Sequence, residues 1–278
     1  MRTLILLLLF SVGANAQTAA TDDKSAEQER MKRLFAESQS IVESARFYKI
    51  EDGKRIDVPL RKEPVFRHVD ATRNEQGGGI WMIGEKGRPM AMSVLYTFPD
   101  VQQWVHSVRS LSTSKDIGAT LKDGPKWSPT QPGVKFELLS DAPKPHKSAR
   151  LRFSQMEQQA RRFSGHEFWR DARHELRLIA RELHRYSDPK NGIIDGAVFS
   201  IAHNTNTECY LMIEVQERDG MQNWHYALAR FGFAELHINI DKKEVWQQPE
   251  VGTRLGDAYV TAGPNDPYYL FRLERKTN

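Results

Sequence analysis

One segment of the chain carries residue types that bind sugars and acidic groups. Trp224, Tyr226 and Arg230 lie at even spacing, so on a β-strand their side chains share one face. Exposed aromatic rings stack on sugars or other flat ligands, and an arginine binds a carboxylate through parallel hydrogen bonds. We therefore predict a ligand-binding face formed by these three residues together with Glu214 and Asp195. One alternative stays open: if the rings point inward, they are core residues.

Acidic residues beside this segment indicate a second kind of chemistry. Glu214 interrupts an apolar run between Ile213 and Val215, and Asp195 precedes Gly196. Two carboxylates about 5–10 Å apart across a cleft hydrolyse glycosidic bonds. The sequence thus keeps open a hydrolase of extracellular polymers that uses Glu214 or Asp195. Simple alternation, with Glu214 on the outward face of its strand, and a turn at Asp195 explain the same residues without catalysis.

Other catalytic patterns are not found in the sequence. His166 and His174 are eight residues apart, so they do not converge on one helical turn to bind zinc. There is no Gly-x-Ser-x-Gly nucleophile elbow. The single cysteine, Cys209, could be activated by His203 or His225, but it lies in an apolar strand-like run, where we expect it to be buried. We therefore predict no metal, no cofactor and no catalytic residue, and a non-catalytic binding or scaffold protein.

The N-terminus has the pattern of an export signal. Arg2 is followed by an apolar run at residues 4–10 and by a small-residue cleavage pattern that ends at Ala16. The sequence predicts a signal peptide at residues 1–16 and a disordered leader at residues 17–24. No run of about 18 apolar residues is present, so we expect no transmembrane anchor. The predicted location is the periplasm or the medium, and the predicted partner is an extracellular polymer or protein.

Composition limits the remaining classes of protein. Of the 278 residues, 39% are hydrophobic and 27% are charged, which is typical of a folded chain. The formal net charge of +4 is too small to indicate a nucleic-acid partner, and we predict none. Residues 144–185 hold eleven lysines or arginines against five acids. This local excess predicts either a solvated arginine-rich face or a site for a polyanion.

The first half of the chain reads as one helix followed by strands. Ser25 and Gln28 form a capping-box pattern, and apolar residues then recur at three- and four-residue spacing up to position 45. Strands are predicted at residues 80–83 and 90–98, as a hairpin, and at 104–111. Three consecutive glycines at positions 77–79 indicate a turn or a bulge where the backbone needs a positive φ.

The second half repeats this order. A helix is predicted at residues 148–163, followed by several antiparallel strands up to residue 273. Residues 173–186 fit either a helix or a strand, and we favour the strand because a helix would stack four arginines at four-residue spacing. We therefore predict an α+β fold of antiparallel sheets with helices packed on them. Its two similar modules would be residues 25–140 and 141–278.

A family resemblance agrees with this interpretation. The run Arg185-Tyr186-Ser187-Asp188, followed by residues 194–199 and 211–214, resembles a family of uncharacterised secreted bacterial proteins of planctomycete type. The segments at residues 224–230 and 244–246 are similar to that family too, and the resemblance covers most of residues 65–250. It implies an exported protein and favours the strand at residues 173–186. It implies no activity, no cofactor and no catalytic residue.

Overall fold

The protein is built mainly from antiparallel β-sheets. A computed structural model describes residues 13–70, 75–84, 86–99, 101–122, 126–251, 253–255, 258–260 and 263–275. Strands make up 54% of the described structure and helices 15%, and one of the sheets forms a half-barrel. The predicted α+β class is therefore wrong. The physical reason is that the sheets bury much of their surface against one another, which leaves little of the chain for helices.

The elements follow the chain in this order. The helices are α1, Gly13–Glu43; α2, Ala149–Ala160; and a single 3₁₀ turn, Pro189–Asn191. Before α2 the strands are β1 Arg46–Glu51, β2 Lys54–Val58, β3 Phe66–Asp70, β4 Glu75–Ile83, β5 Ala91–Thr97, β6 Gln103–Ser110, β7 Ile117–Thr120, β8 Lys126–Trp127 and β9 Glu137–Leu138. After α2 they are β10 Phe163–Trp169, β11 Ala172–Asp188, β12 Ile193–His203, β13 Asn206–Arg218, β14 Met221–Arg230, β15 Glu235–Ile240, β16 Lys243–Gln248, β17 Thr253–Leu255, β18 Ala258–Val260 and β19 Tyr268–Glu274.

Three sheets make up the body of the described protein. The largest has eight strands in the order β16-β15-β10-β11-β12-β13-β14-β9. A five-stranded sheet has the order β19-β6-β5-β4-β3, and a four-stranded sheet has the order β2-β1-β7-β8. Strands β17 and β18 form a separate ribbon. Every pairing is antiparallel, so short hairpins join most neighbours.

The main core lies between the five-stranded and eight-stranded sheets. Apolar side chains from β4 and β5, among them Ile80 and Met92, pack in one cluster with Val198 and Met212 from β12 and β13. Both faces of these four strands are buried, and nearly all their residues are inaccessible to solvent. Such strands read as continuous apolar runs and not as alternating ones, so their sequence cannot show which face meets which neighbour.

Each helix covers the other face of one of these two sheets. Leu34 and Val42 of α1 pack with Trp81 and Leu95 of the five-stranded sheet. On the eight-stranded sheet, Met156 and Ala160 of α2 join a second large cluster. The resulting order of layers is helix, sheet, sheet, helix.

Helix α1 is longer than the sequence indicates. Its predicted start is Ser25, but the helix begins at Gly13 and continues through residues 17–24, where the sequence predicts a disordered leader. The apolar core of the predicted signal peptide, at residues 4–10, lies outside the described residues.

The local predictions at the first hairpin are confirmed. Strands β4 and β5 occupy the predicted positions, and their register shifts between Gln76 and Gly79. Gly77 has φ +70°, as expected for a bulge, and a Cβ on Gly78 would come within 1.6 Å of the Leu95 carbonyl oxygen. Only glycine fits both positions, because one needs the left-handed backbone region and the other needs a close backbone approach.

Residues 173–186, ambiguous in sequence, form most of the 17-residue strand β11. The prediction of a strand is confirmed. Alternation places Leu176 on the buried face while Arg173 and Arg177 reach solvent, so the arginines that would repel one another on a helix are separated.

The two halves of the chain exchange edge strands. Strand β9 lies before the predicted boundary near residue 141 but pairs with β14 at the edge of the eight-stranded sheet. Conversely, the last strand, β19, pairs with β6 in the five-stranded sheet. The predicted boundary at residues 140–141 therefore does not separate one sheet from the other.

Candidate functional site

The five candidate residues from the sequence lie on both faces of the eight-stranded sheet. Residues directly opposite each other on antiparallel strands share a face. The registers of β12, β13 and β14 place Asp195, Trp224, Tyr226 and Arg230 on the face covered by α2. They place Glu214 on the opposite face, toward the five-stranded sheet. The predicted common surface for all five side chains is therefore not formed.

The two aromatic residues of the candidate set, Trp224 and Tyr226, are buried to different degrees. Trp224 is 2% exposed, and its Nε1 donates a hydrogen bond of 2.9 Å to the carbonyl oxygen of Pro143. Tyr226 is half-buried and packs edge-on against Phe163, with ring centroids 5.2 Å apart. The open alternative, that the rings are core residues, therefore holds for Trp224, whereas Tyr226 still reaches a groove described below.

Glu214 is fully enclosed by donors. Its carboxylate accepts hydrogen bonds from Arg88 Nε at 3.0 Å, from the Tyr186 hydroxyl at 2.8 Å and from Gln216 Nε2 at 2.8 Å. Arg88 comes from the turn between β4 and β5, so this ion pair joins the two large sheets. Burial and the neighbouring carboxylate raise the pKa of Tyr186 well above its ordinary value. Glu214 therefore does not face outward; its ion pair with Arg88 connects the eight-stranded sheet to the five-stranded sheet.

Asp195 is held in a comparable way on the other face. It accepts hydrogen bonds from Arg152 Nε at 3.0 Å and from Arg185 Nε at 2.9 Å. Arg152 belongs to α2 and Arg185 to β11, so Asp195 fastens the helix to the sheet. Because Asp195 and Glu214 face opposite sides of one sheet and are fully occupied by arginines, they do not form the facing carboxylate pair that glycoside hydrolysis needs.

Arg230 has a different environment from these acids. The residue is 9% exposed, and its Nη2 donates to the carbonyl oxygens of Ala234 at 2.9 Å and Pro249 at 2.8 Å. Its buried Nε and Nη1 have no hydrogen-bond partner among the described residues. Burial lowers the pKa of Arg230 to about 10, which shows that nearby carboxylates do not offset the cost of removing this charge from water.

A second buried arginine, which the sequence analysis did not single out, lies at the same place. Arg109 of β6 is 3% exposed and donates from Nε to the carbonyl oxygen of Phe231 at 2.9 Å. Its guanidinium carbon is 4.0 Å from the centroid of the Phe231 ring and 5.0 Å from that of Tyr268. Its buried Nη1 has no hydrogen-bond partner in the part of the chain that is described. The sequence feature that could have pointed to Arg109 is a charged residue inside the predicted strand at residues 104–111.

Two buried acids also belong to this region. Glu208 and Glu75 both act on the pKa of the Tyr268 hydroxyl, which burial raises above its ordinary value. Glu208 also draws the pKa of Arg230 upward, but less than burial draws it down. The positive charges of Arg109 and Arg230 are thus partly offset by acids. Both guanidinium groups still have nitrogens without a hydrogen-bond partner among the described residues.

Both arginines line an elongated groove with a volume of about 790 Å³. This volume falls in the range of small-ligand and cofactor sites. One wall belongs to β14, the facing wall belongs to β16, and the segment at residues 131–137 borders the groove as well. β16 ends the eight-stranded order on one side, and β14 lies next to the short strand β9 that ends it on the other. The groove thus lies where the two sides of this sheet approach each other.

Apolar and polar groups are divided along the groove. Its apolar lining consists of Val134, Leu228, Val245, Val251 and the rings of Tyr226, Trp246 and Tyr268. The charged lining residues are Arg109, Arg230, Lys135, Glu137 and Asp266. Glu137 is paired with Lys135, and Asp266 accepts a hydrogen bond of 2.7 Å from the Gly263 amide. The groove therefore combines apolar side chains with two arginines whose unpartnered nitrogens lie buried just behind its wall.

The remaining reactive residue types are engaged in packing. Cys209 is fully buried on β13, as predicted, and burial raises the pKa of its thiol, which opposes formation of a thiolate. His166 stacks on His237 with ring centroids 4.5 Å apart, and His174 stacks on His203 at 4.6 Å. Among the described residues, no group of three or more metal-ligating side chains could hold an ion.

Four of the eleven lysines and arginines at residues 144–185 take part in ion pairs among the described residues. Arg152 and Arg185 bind Asp195, Arg162 binds Asp241, and Arg173 binds Glu175. The first two side chains also line a second cavity of about 850 Å³, but their donors are used by Asp195 and by backbone carbonyls. The groove with unused donors is the better candidate site.

Two further findings complete the description of the chain. None of the helices within the described residues has the length and apolar character needed to cross a membrane. The chain matches no protein-family model, no curated protein and no solved structure. Its function must therefore be inferred from the geometry of the groove itself.

Proposed function

We propose that this is an exported, non-catalytic binding protein that holds an extracytoplasmic polymer bearing carboxylates in the groove between β14 and β16. The observation that carries the proposal is the buried guanidinium of Arg230, which lines the groove and has two nitrogens without a protein partner among the described residues. The leader pattern at residues 1–16 supports the location outside the cytoplasm.

A carboxylate is the ligand group that best fits these donors. A guanidinium presents its N–H groups in a planar fork, which matches the two oxygens of a carboxylate. Burial has already desolvated Arg230, so an entering anion would recover electrostatic energy that water no longer supplies. Arg109 adds a second unused donor nearby. The apolar walls would contact the rest of the ligand.

Binding without catalysis is favoured because the candidate acids already form ion pairs or hydrogen bonds within the protein. A general acid or base must be within hydrogen-bond reach of the reacting atom. Glu214 and Asp195 are enclosed by arginines and absent from the groove lining, while Glu137 pairs with Lys135. These arrangements favour a binding protein over the hydrolase that the sequence leaves open.

The proposal is tested by retention on polymers that differ in their carboxylates. We expect the purified chain to be retained at physiological salt on immobilised poly-L-glutamate or polygalacturonate, and not on neutral dextran. Arg230→Met, which keeps the length of the side chain but removes its donors, should reduce retention at least tenfold. Arg173→Met is the matched control, because it removes the same charge from an exposed ion pair outside the groove.

Two results would overturn the proposal. The first is no retention on either carboxylate polymer. The second is retention that Arg230→Met and Arg173→Met reduce to the same small extent, since that would indicate general charge attraction.

A further inference from the structure

The groove coincides with a stretch of sheet edge that no other strand covers. Strand β9 pairs only with His225 and Tyr226, although β14 continues to Arg230. Before β9 the chain turns away, because the amides of Gly133 and Val134 donate to the carbonyl oxygen of Ser112. Within the described residues, no strand pairs with the outer side of residues 227–230.

Two hydrogen bonds fix which main-chain groups face outward on this edge. The Leu139 amide donates to the Trp224 carbonyl at 2.9 Å on the β9 side, and the Phe231 amide donates to the Glu208 carbonyl at 2.8 Å on the β13 side. Successive residues of an antiparallel strand alternate between the two sides. Residues with even numbers therefore point their main-chain groups outward, and among them Leu228 and Arg230 line the groove.

We propose that the ligand is an extended acidic polypeptide that adds as a strand to the β14 edge at Leu228 and Arg230, with a carboxylate on the guanidinium of Arg230. This inference rests on the proposed function and names the class of polymer. Strand addition supplies main-chain hydrogen bonds, and pockets for alternate side chains give specificity. Here the main-chain partners are the edge groups of Leu228 and Arg230, and the charge complement is the pair of buried arginines.

The opposite wall of the groove fits the same occupant. It is formed by Val245, Trp246 and Gln248 of β16, which is the terminal strand at the other end of the eight-stranded order. A segment lying in the groove would therefore sit between the two ends of the curled sheet. It would pair with the outer side of β14 at residues 227–230, which no described strand covers, and would contact β16 through side chains only.

The first test uses a fluorescein-labelled hexapeptide of alternating valine and glutamate. Two N-methylated versions carry the methyl groups either on all valine amides or on all glutamate amides. In an added strand only alternate amides face β14, so one version should lose affinity at least tenfold and the other should change less than threefold. Equal effects of the two patterns, large or small, would overturn strand addition.

A substitution at the edge provides the second test. Proline is tolerated on an edge strand where its missing N–H faces away from the ladder, so Leu228→Pro should remove an outward donor and keep the inner pairing with β13. We expect Leu228→Pro to weaken binding of the hexapeptide at least tenfold. The control Leu228→Ala removes the same side-chain contact with the groove but keeps the donor, so it should weaken binding less than Leu228→Pro does. Equal losses for the two variants would contradict the inference.

Hydrogen exchange on the unmodified protein keeps the inference testable if Leu228→Pro fails to fold. Saturating hexapeptide should slow exchange of the Leu228 and Arg230 amides at least tenfold and leave the inward-facing Ala229 amide unchanged. Uniform protection, or none, would overturn strand addition. A further outcome separates the two proposals. If retention depends on Arg230 but is equal on poly-L-glutamate and polygalacturonate, the proposed function stands. The inference that a polypeptide is the specific ligand is then rejected.

Discussion

Buried charged side chains have a full set of hydrogen-bond partners at one place in this protein and an incomplete set at another. Glu214 and Asp195 are each surrounded by donors that satisfy their oxygens, and each connects two layers of the structure. Arg230 and Arg109 are equally buried but keep donors that no described residue uses. A charge with a complete set of partners holds the fold together, whereas an incompletely paired charge on a groove wall is suited to an external ion.

The largest effect is expected at Glu214. Glu214→Gln removes the negative charge while Arg88 stays beside it, and leaving one member of a buried ion pair costs about 3–5 kcal/mol. Because Arg88 retains some exposure, we expect a loss of about 3 kcal/mol in the free energy of unfolding, measured in urea. The double variant with Arg88→Met should lose less than the sum of the single variants. A loss under about 1 kcal/mol would remove the distinction drawn above.

A smaller loss is expected at Asp195. Arg185 is partly exposed, so solvent screens its charge and the ion pair is weaker than a buried one. Asp195→Asn should therefore lower the free energy of unfolding by about 2 kcal/mol, because Arg152 loses its charged partner. Proteolysis at the α2 junction should also accelerate, since α2 loses its polar tie to the sheet. Unchanged stability and proteolysis would show that Asp195 is dispensable.

His106 is a buried base that has no carboxylate partner among the described residues, so it can be compared with the paired acids above. Burial, with repulsion from Arg109, lowers the pKa of His106 from 6.5 to about 3. Below pH 6.5 the unfolded chain therefore takes up a proton that the folded chain excludes, and stability is lost as the pH falls toward 3. Between pH 6.5 and 5 this loss amounts to about 2 kcal/mol.

The comparison with His106→Gln isolates this contribution from other titrating groups. The free energy of unfolding of His106→Gln should fall less steeply over the same pH interval, because glutamine takes up no proton. Parallel pH curves for the two proteins would show that His106 is not held neutral in the fold.

The smallest effect on stability is expected at Arg230. Arg230→Met loses two hydrogen bonds to carbonyls but also removes the cost of burying a charge, so the free energy of unfolding should change by less than about 1 kcal/mol. The same variant is expected to lose polymer retention. A destabilisation above about 3 kcal/mol would place Arg230 with Glu214, as a residue of the fold and not of a site.

The sequence predicted strands and shared faces better than it predicted layers. Even spacing correctly placed Trp224, Tyr226 and Arg230 on one face, and like-charge repulsion correctly favoured a strand at residues 173–186. The fold class was wrong because strands buried on both faces lose the alternation that distinguishes core from surface. The alternative that places Glu214 on an outward face is wrong for this reason, because a second sheet covers that face.

The groove itself depended on contacts between distant segments. Arg109 and Arg230 are 121 positions apart in the chain, and nothing in the spacing of either residue indicates the other. Likewise, the partner of Glu214 comes from the turn before β5, where glycine and proline predicted only a loop. Local pattern locates a strand and the face of each residue, but tertiary pairing decides which charges are satisfied.

The exchange of edge strands has a consequence for biosynthesis. The five-stranded sheet receives its outer strand, β19, from the far end of the chain. The N-terminal half therefore cannot reach its final form while the ribosome is still making the rest, and completion of both sheets waits for nearly the whole polypeptide. Such late closure is compatible with the export proposed above, and a truncation ahead of residue 268 should leave the five-stranded sheet without its outer strand.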